Sequence, residues 1–369
     1  MKKKILLFAT LPPPVHGSNT MSQYVVDHLK SNDEFEVNIL PLHYSRSIKD
    51  IGRPRVGKIA SFITYWFRLF AILHKFRPDF VYFSIVAINI PFYRDCFYIL
   101  LMKCYKAKIV FHFHLKGIKE KTRNPFVRKI YEWAFDKEFV ILLSPLLFND
   151  IDGIVKPDQV FFIPNGIPQP QICHENRHAP EKLTLKILFL SNLLVAKGTL
   201  TVLSACHILK DRGYSFKVDF VGNPAGNTGQ HMFNKLVKEY GIEDVINVAG
   251  PKYGEEKLQA LSEADIFVFP TLNECFPLVL LEAMACGLPV VSTHEGAIPE
   301  IIDNGQNGFL IEKKNAHDLA EKVAWLIDHP DERMRMGEAG RKKYLSFYTL
   351  HHFQKNMEAA FRHIAGMSR

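Results

Sequence analysis

Short, continuous apolar runs alternate with longer stretches of helical periodicity along both halves of the chain. Such runs predict strands that are buried on both faces, as in a parallel sheet covered by helices. The predicted strands are 3–9, 35–41, 79–85, 108–114, 139–144 and 160–164, then 185–191, 216–222, 245–250, 266–270, 289–293 and 308–312. The pattern predicts an α/β protein with two doubly wound, Rossmann-like domains.

A polar stretch with three prolines, PQPQICHENRHAPE, separates the two sets of strands and shows no periodicity. We therefore predict an N-terminal domain over 1–168, a linker over 169–182 and a C-terminal domain over 183–349. The tail, 350–369, is predicted to form a helix that packs back on the first domain. Ligands bind parallel sheets at the carboxyl ends of the strands, so we expect the site in a central cleft that the two domains face.

Charge distinguishes the two halves of the chain. Residues 1–180 carry 25 Lys and Arg against 15 Asp and Glu, whereas the remainder carries 21 against 23. The basic first half suggests an anionic partner, such as acidic lipid or a phosphate-bearing acceptor, and the alternative is a merely soluble surface.

Membrane and targeting signals are weak. The start, MKKKILLFATLPPP, has a short apolar run without a small-residue cleavage site, and a buried strand is the better interpretation. No apolar stretch reaches the ~18 residues of a spanning helix. Segment 58–76 is rich in aromatic and basic residues; it is predicted to be a helix packed on the sheet or, alternatively, one that lies on an anionic membrane. We expect a cytoplasmic protein, with the inner face of the membrane as a second possibility.

The segment IFVFPTLNECFPLVLLEAMACGLPVVST carries the most chemistry. It predicts a strand, a short loop with Glu274, a helix with Pro277 in its first position, and a second strand. The start of a helix at the carboxyl end of a strand can bind a phosphate group through its N–H groups. Glu274 and Glu282, eight residues apart, could accept hydrogen bonds from sugar and ribose hydroxyls.

This segment resembles the Glu-x7-Glu motif of the retaining GT-B glycosyltransferases of family four, also called group 1. The resemblance implies a GT-B fold, a nucleotide-sugar donor in the second domain, and transfer with retention without a metal ion or other cofactor. It also implies that Glu274 contacts the donor sugar and Glu282 the ribose, with the backbone near Phe276, Pro277 and Leu278 facing phosphate or sugar.

The loop SNLLVAKG (191–198) resembles the family's G-R-x-x-x-x-K-G loop, in which Arg and Lys bind the donor diphosphate. Lys197 and Gly198 match, whereas Asn192 replaces the arginine. The resemblance therefore assigns most of the diphosphate stabilisation to Lys197, with Asn192 at the altered position. An exposed lysine before a helix is the alternative.

Two segments of the first domain also resemble the family. LPPPVHGSNT (11–20) is similar to its P-x-x-G-G loop, and Gly17 is the glycine that lets the backbone approach the donor. KIVFHFHLKG (108–117) places His112 and His114 on one face of a strand. His114 matches the family's histidine at the reaction centre, and His112 is interpreted as a core residue. A His-x-His metal site lacks a third ligand in this sequence.

Smaller matches complete the donor site. Gly222 ends a strand as the family's glycine near the nucleotide does, Lys252 lies where the base is expected, and GAIPEII (296–302) is similar to G-G-x-P-E-x-I. The pair Asp150 and Asp152 forms a D-x-D sequence, which we interpret as a solvated helix end rather than a metal site. No nucleotide-triphosphate or dinucleotide loop is present, and we expect no nucleic-acid partner.

Three functions remain open from the sequence. The first is a retaining hexosyltransferase that uses a UDP-sugar and a glycan or lipid-linked acceptor in lipopolysaccharide or capsule biosynthesis. The second is a sugar-nucleotide epimerase of the same shape, which the Glu-x7-Glu context fits poorly. The third is a catalytically silent scaffold that binds nucleotide-sugar, and Asn192 keeps this alternative open.

Overall fold

A computed structural model of the chain describes residues 2–13, 16–44, 56–171, 184–224 and 226–366, without the side chains of 56–59 and 227–228. The chain divides into two units, Met1–Gly166 with Leu350–Arg369 and Ile167–Thr349. Most of the predicted linker, 169–182, lies outside the described residues.

The first unit contains one parallel sheet of six strands, in the order β2-β1-β3-β4-β5-β6. Its strands are β1 Lys3–Thr10, β2 Phe35–Leu42, β3 Phe80–Ile85, β4 Lys108–Phe113, β5 Phe139–Leu142 and β6 Val160–Phe162. Its helices are α1 Gly17–Lys30, α2 Val56–Phe76, α3 Asn89–Cys104, α4 Ile118–Lys121, α5 Pro125–Phe135 and the C-terminal α13 Leu350–Gly366.

The second unit repeats this architecture with the strand order β12-β11-β10-β7-β8-β9, again entirely parallel. Its strands are β7 Leu185–Leu190, β8 Phe216–Val221, β9 Ile246–Gly250, β10 Ile266–Phe269, β11 Val290–Thr293 and β12 Gly308–Ile311. Its helices are α6 Thr199–Asp211, α7 Gly226–Glu239, α8 Gly254–Glu263, α9 Leu278–Ala285, α10 Ile298–Ile301, α11 Ala316–Asp328 and α12 Pro330–Phe347.

The predicted fold class is confirmed, and each of the twelve predicted strands is present within two residues of its predicted bounds. The central strands are buried along their whole length, as β3 and β10 illustrate, because helices cover both faces of each sheet. In the first unit α13 packs on the sheet, where the Phe361 ring lies 5.4 Å from Phe80 and 5.9 Å from Tyr82.

The strand order places a topological switch point in each sheet. In the first unit the order reverses between β1 and β3, and in the second between β7 and β10. The loops that follow such a pair of strands diverge and leave a crevice at their carboxyl ends. Within the described residues, no helix is both long enough and apolar enough to cross a membrane.

Candidate functional site

The loop that carries Glu274 follows β10 at the switch point of the second sheet. It ends at Pro277, whose backbone is extended (φ −74°, ψ 119°) and which caps α9 rather than occupying its first position. The prediction for Pro277 was therefore wrong by one residue, and the helix begins at Leu278. A proline suits this boundary because it has no N–H to leave without a partner.

The loop that carries Lys197 follows β7, the other strand of the switch point. A short 3-10 helix spans Val195–Lys197, and its Ala196 carbonyl accepts hydrogen bonds from Leu272 N (2.9 Å) and Thr271 Oγ1 (3.2 Å). These bonds fasten this loop to the one that carries Glu274. Gly198 is required here, because a Cβ atom would lie 2.0 Å from the Pro270 carbonyl oxygen.

The two loops meet in an ion pair between Lys197 Nζ and Glu274 Oε1. Each side chain keeps about a quarter of its surface exposed, at 24% and 22%. The pair is thus neither a solvated surface contact nor a sealed internal one. Both groups remain available to a ligand, provided the ligand supplies a partner for each.

A second ion pair supports the backbone at Glu274. Glu295, whose side chain is 3% exposed, accepts a hydrogen bond from Glu274 N at Oε1 (3.0 Å) and contacts Lys313 Nζ through Oε2. Ala297 N donates to Cys275 O at 2.7 Å. The segment after β11 therefore holds the backbone on both sides of the Glu274 Cα.

Glu282 lies on α9, one turn inside the helix from Leu278. Its Oε1 accepts from Lys257 Nζ of α8 at 2.6 Å. Its Oε2 is buried and has no hydrogen-bond partner among the described residues. Because a buried carboxylate oxygen without a donor is costly, this atom is suited to accept from a ligand hydroxyl.

The position of Asn192 contains an amide network instead of a cation. Asn192 Oδ1 accepts from Asn223 Nδ2 at 3.2 Å, and Leu193 N donates to Asn223 O at 2.8 Å. Gly222 lets these segments approach, since a Cβ atom there would lie 1.9 Å from the Ser191 carbonyl oxygen. Lys252 follows β9 and is half-buried.

In the first unit, histidines occupy the carboxyl end of β4. Tyr82 OH lies 2.7 Å from His112 Nδ1, and the His112 and His114 rings are 4.1 Å apart. Burial, with a smaller contribution from the nearby His16, lowers the pKa of His114 to about 3; burial also holds the pKa of His112 well below its usual range. Both imidazoles are therefore neutral near pH 7.

Gly17 begins α1 directly after His16, at the carboxyl end of β1. The His16 carbonyl accepts from Thr20 N at 3.0 Å, and Ser18 Oγ lies 3.1 Å from His16 Nδ1. The rest of the predicted loop includes residues 14–15, which lie outside the described residues.

Residues 174–343 match the model of the family Glycosyl transferases group 1. The second unit belongs to this family. Among relatives, the chain is 31% identical over 234 residues to the putative colanic acid biosynthesis glycosyltransferase WcaL of Salmonella typhimurium. That match covers 61% of this chain and 57% of the relative, so the chain spans little more than half of the relative's length.

The family model covers the second unit (from here on, the group 1 domain), whereas the similarity to solved structures covers the whole chain. A glycosyltransferase of Rickettsia africae matches with a TM-score of 0.79 at 17% identity, covering 100% of both chains. HepE of Anabaena, in complex with UDP, matches with a TM-score of 0.76 at 15% identity, covering 98% of this chain and 100% of that one. The fold is GT-B.

The group 1 domain brings together some of the residues that the sequence singles out. Lys197 and Glu274 are in contact, and Gly222 lies against the loop of Asn192. Phe276 turns inward, with its ring 5.9 Å from Tyr348, so any role toward a ligand belongs to its backbone.

Three residues of the group 1 domain were not predicted from the sequence: Lys257, Glu295 and Lys313. Lys257 is one charge among several on a polar helix, and its partner is 25 residues away, so the sequence contains no signal for it. Glu295 could have been suspected, because a carboxylate that directly precedes the GAIPE turn is buried among strand ends.

Asp150 ends a short 3-10 helix, Pro145–Asp150, so the predicted helix end is present, but its carboxylate is not simply solvated. Its carboxylate accepts from the N–H groups of Gly117 (2.8 Å), Ile118 (3.1 Å) and Lys119 (3.1 Å), and so caps α4. A carboxylate at this position stabilises the first turn of the helix. In the described ranges, no group of three or more His, Cys, Asp or Glu is placed to hold a metal ion.

Proposed function

We propose that the chain is a retaining, metal-independent hexosyltransferase. It would move a sugar from a nucleotide-diphosphate donor, a UDP-sugar, to a glycan or lipid-linked acceptor in the biosynthesis of a surface polysaccharide. The observation that carries the proposal is the switch point of the second sheet, where Lys197, Glu274 and the unpartnered oxygen of Glu282 lie on adjoining elements. The colanic acid relative and the UDP complex of HepE support the acceptor and donor classes.

The donor would be held by charge and by hydroxyl recognition. Glu282 Oε2 would accept from the ribose diol, while Lys257 keeps the other oxygen in place. The amides where α9 begins, at Phe276 and Leu278, would face phosphate, and Pro277 fixes the direction of the chain there. Gly17, Asn192, Gly222 and Lys252 complete the proposed donor-binding set.

Donor binding would exchange partners in the Lys197–Glu274 ion pair. The diphosphate competes with the Glu274 carboxylate for the Lys197 ammonium group, and the released carboxylate can then accept from sugar hydroxyls. Because the pair is only partly exposed, each charge gains a new partner in the same step and neither is left buried alone.

The chemical step would follow without a covalent enzyme intermediate. The C1–O bond to the diphosphate breaks and its electron pair stays on the phosphate oxygen, where Lys197 stabilises the negative charge. The acceptor oxygen forms its bond to C1 on the same face, and its proton passes to the departing oxygen. His114, neutral because of its burial, would position the sugar as a hydrogen-bond partner rather than as a charge.

We further propose that the enzyme works at the cytoplasmic face of the membrane and contacts anionic lipid through residues 58–76. The absence of exposed carboxylates from this segment supports the contact, since the segment contains no Asp or Glu. A lipid-linked acceptor would then reach the enzyme from the bilayer.

The test is release of nucleoside diphosphate from a panel of nucleotide-sugars, with and without acceptor, for the wild type and for Glu274→Ala. The transferase proposal expects acceptor-dependent release with one donor, its loss in the variant, and activity that survives EDTA. Activity lost in EDTA and restored by Mn²⁺ would contradict the metal-free step.

The same assay separates the alternatives. Binding of nucleotide-sugar without release, unchanged by Glu274→Ala, would support the silent scaffold that the amide pair of Asn192 and Asn223 favours. Conversion of the donor to a second nucleotide-sugar without release would support an epimerase.

A further inference from the structure

Two neighbouring helices of the first unit present large apolar side chains to solvent. On α2 they form one row, and on α3 they form another; the members are Ile63, Phe67, Phe70, Ile90, Tyr93, Phe97 and Leu100. Phe67 is 61% exposed and Phe97 56%. Single exposed apolar residues are ordinary, but a contiguous patch of them marks a surface that meets something apolar.

Packing against the core does not account for these rows. The inner face of α2 already packs through Tyr65, Leu69 and Leu73, which are all buried. The exposed row begins at Ile63 and returns at Phe67 and Phe70, the spacing of a second, separate face of the same helix. The helix is thus apolar on the side away from the sheet as well.

A groove joins the two rows. Its walls are apolar apart from the Trp66 indole N–H and the Cys104 thiol, and they enclose a cavity of about 390 Å³; they consist of Phe62, Ile63, Trp66, Phe67, Phe97, Leu100, Leu101 and Cys104. The Phe62 and Phe97 rings meet across the groove with centroids 5.8 Å apart. A groove with so few hydrogen-bonding groups suits a hydrocarbon chain and offers little to a sugar or a nucleotide.

Among the described residues of α2 and α3, the exposed charges all have one sign. No Asp or Glu occurs in 56–76, and the carboxylate of α3, Asp95, is buried beside Arg94. Arg68 and Lys75 are exposed and lie seven residues apart, so they share one side of α2, beside Phe67 and away from the groove. Cations beside aromatic and aliphatic side chains, without exposed acids, complement an anionic lipid surface.

We propose that α2 and α3 together form a lipid-docking surface, which lies on an anionic bilayer and takes one hydrocarbon chain of a membrane lipid into the groove. The proposal adds α3 and a defined binding groove to the contact through 58–76, and it requires no sugar transfer. A second copy of this chain fits less well, because a symmetric contact would bring the same cationic borders together.

Tryptophan fluorescence tests the groove directly, because Trp66 lines it. The chain has three tryptophans, so Trp133→Phe/Trp325→Phe leaves Trp66 alone. Vesicles of phosphatidylglycerol with brominated acyl chains should quench this variant, and unbrominated vesicles should not. Vesicle binding without quenching of Trp66 would contradict the insertion of a hydrocarbon chain into the groove.

Vesicle flotation tests the surface. Phe67→Ser/Phe97→Ser should weaken binding to phosphatidylglycerol vesicles by at least about 30-fold, since two aromatic side chains lose their burial in the bilayer. Arg68→Glu should weaken it by about fivefold or more, and added salt should reduce binding further. The matched control is Phe126→Ser, which removes an even more exposed phenylalanine (81%) from α5, outside the surface, and should bind as the wild type does.

Two results would contradict the proposal. One is equal flotation of the Phe67→Ser/Phe97→Ser and Phe126→Ser variants, with both unfolding at the same temperature. The other is self-association that rises with protein concentration, is lost in the double variant and occurs without vesicle binding; it would assign the surface to a second copy. Nucleoside diphosphate release to a water-soluble acceptor is measured separately, so failure of docking and failure of the transferase proposal can be told apart.

Discussion

The two units share one architecture and differ in the side chains at the carboxyl ends of their central strands. In the second unit the loops after β7 and β10 carry an ion pair, Lys197 with Glu274, held by backbone bonds and by Glu295. In the first unit the end of β4, which lies next to the switch-point strand β3, carries buried, neutral histidines, His112 and His114. The same kind of parallel sheet therefore presents charged groups in one unit and neutral groups in the other.

This difference does not follow the net charge of each half, because the charged site lies in the nearly neutral second half. Fixed charges suit a diphosphate, whose recognition is common to many donors, whereas neutral groups suit a sugar. The net positive charge of residues 1–180 lies instead on the outer surface, in part beside the apolar rows of α2 and α3. The comparison predicts that substitutions in the second unit change donor chemistry, and that those in the first change acceptor access and membrane contact.

The largest effect should come from Lys197→Ala. The leaving diphosphate would lose its cation, so kcat should fall by ~10²-fold or more. Steady-state kinetics with the active donor measure the effect, and Lys210→Ala, which removes an ion pair with Asp244 elsewhere in the second unit, is the matched control. A Lys197→Ala rate within about twofold of the control's would contradict the charge-based account of this unit.

A smaller effect is expected at the support of Glu274. Lys313→Ala leaves Glu295 without its cation and loosens the bond to Glu274 N, so kcat should fall by about tenfold while KM for the donor changes less. Lys313→Arg should restore most of the rate. If Lys313→Ala lowers thermal stability without any change in kcat, Glu295 and Lys313 are structural only.

A substitution at Asn192 tests whether the side chain at this position faces the diphosphate. Asn192→Arg adds the cation that the sequence lacks there, and a charged hydrogen bond should tighten binding of nucleoside diphosphate by about tenfold. Asn223→Ala removes the amide partner of Asn192 without adding charge and serves as the control. Calorimetric titration that finds the same affinity in Asn192→Arg and the wild type would show that the side chain at 192 does not face the diphosphate.

The smallest effect concerns pH. His114 has a pKa of about 3 when folded and about 6.5 when unfolded, so the unfolded chain binds more protons between these values. The contribution of His114 to the stability of the first unit is therefore complete above about pH 6.5 and is lost progressively as the pH falls below it. His114→Gln should make the unfolding temperature depend less on pH between about pH 7.5 and about pH 5, the range around the ordinary histidine pKa. An unchanged slope would exclude His114 as the cause.

Much of the fold could be predicted because the strands are buried on both faces. Runs such as β3 and β10 are buried at every position and apolar at nearly every one, so their bounds are clear in the sequence. The part of the site that lies within one segment, Glu274 through Glu282, could also be predicted, since its spacing is local.

Contacts between distant segments could not be predicted. Lys257 reaches Glu282 from another helix, and Lys313 reaches Glu295 from the end of β12. The outer row of α3 was missed for a different reason: a helix that is apolar on two faces has no clear amphipathic period, so sequence alone does not separate the exposed row from the buried one.

The central claim is that Glu282 binds the nucleotide, and that the donor diphosphate replaces Glu274 as the partner of Lys197. Calorimetric titration of UDP into the wild type, Glu282→Ala and Glu274→Ala tests it most directly. The account predicts that Glu282→Ala weakens UDP binding by about 10- to 100-fold, because charged hydrogen bonds to the ribose are lost. Glu274→Ala should bind UDP at least as tightly as the wild type, since Lys197 is freed for the diphosphate, yet transfer no sugar. Unchanged binding in Glu282→Ala, or weakened binding in Glu274→Ala, would contradict it.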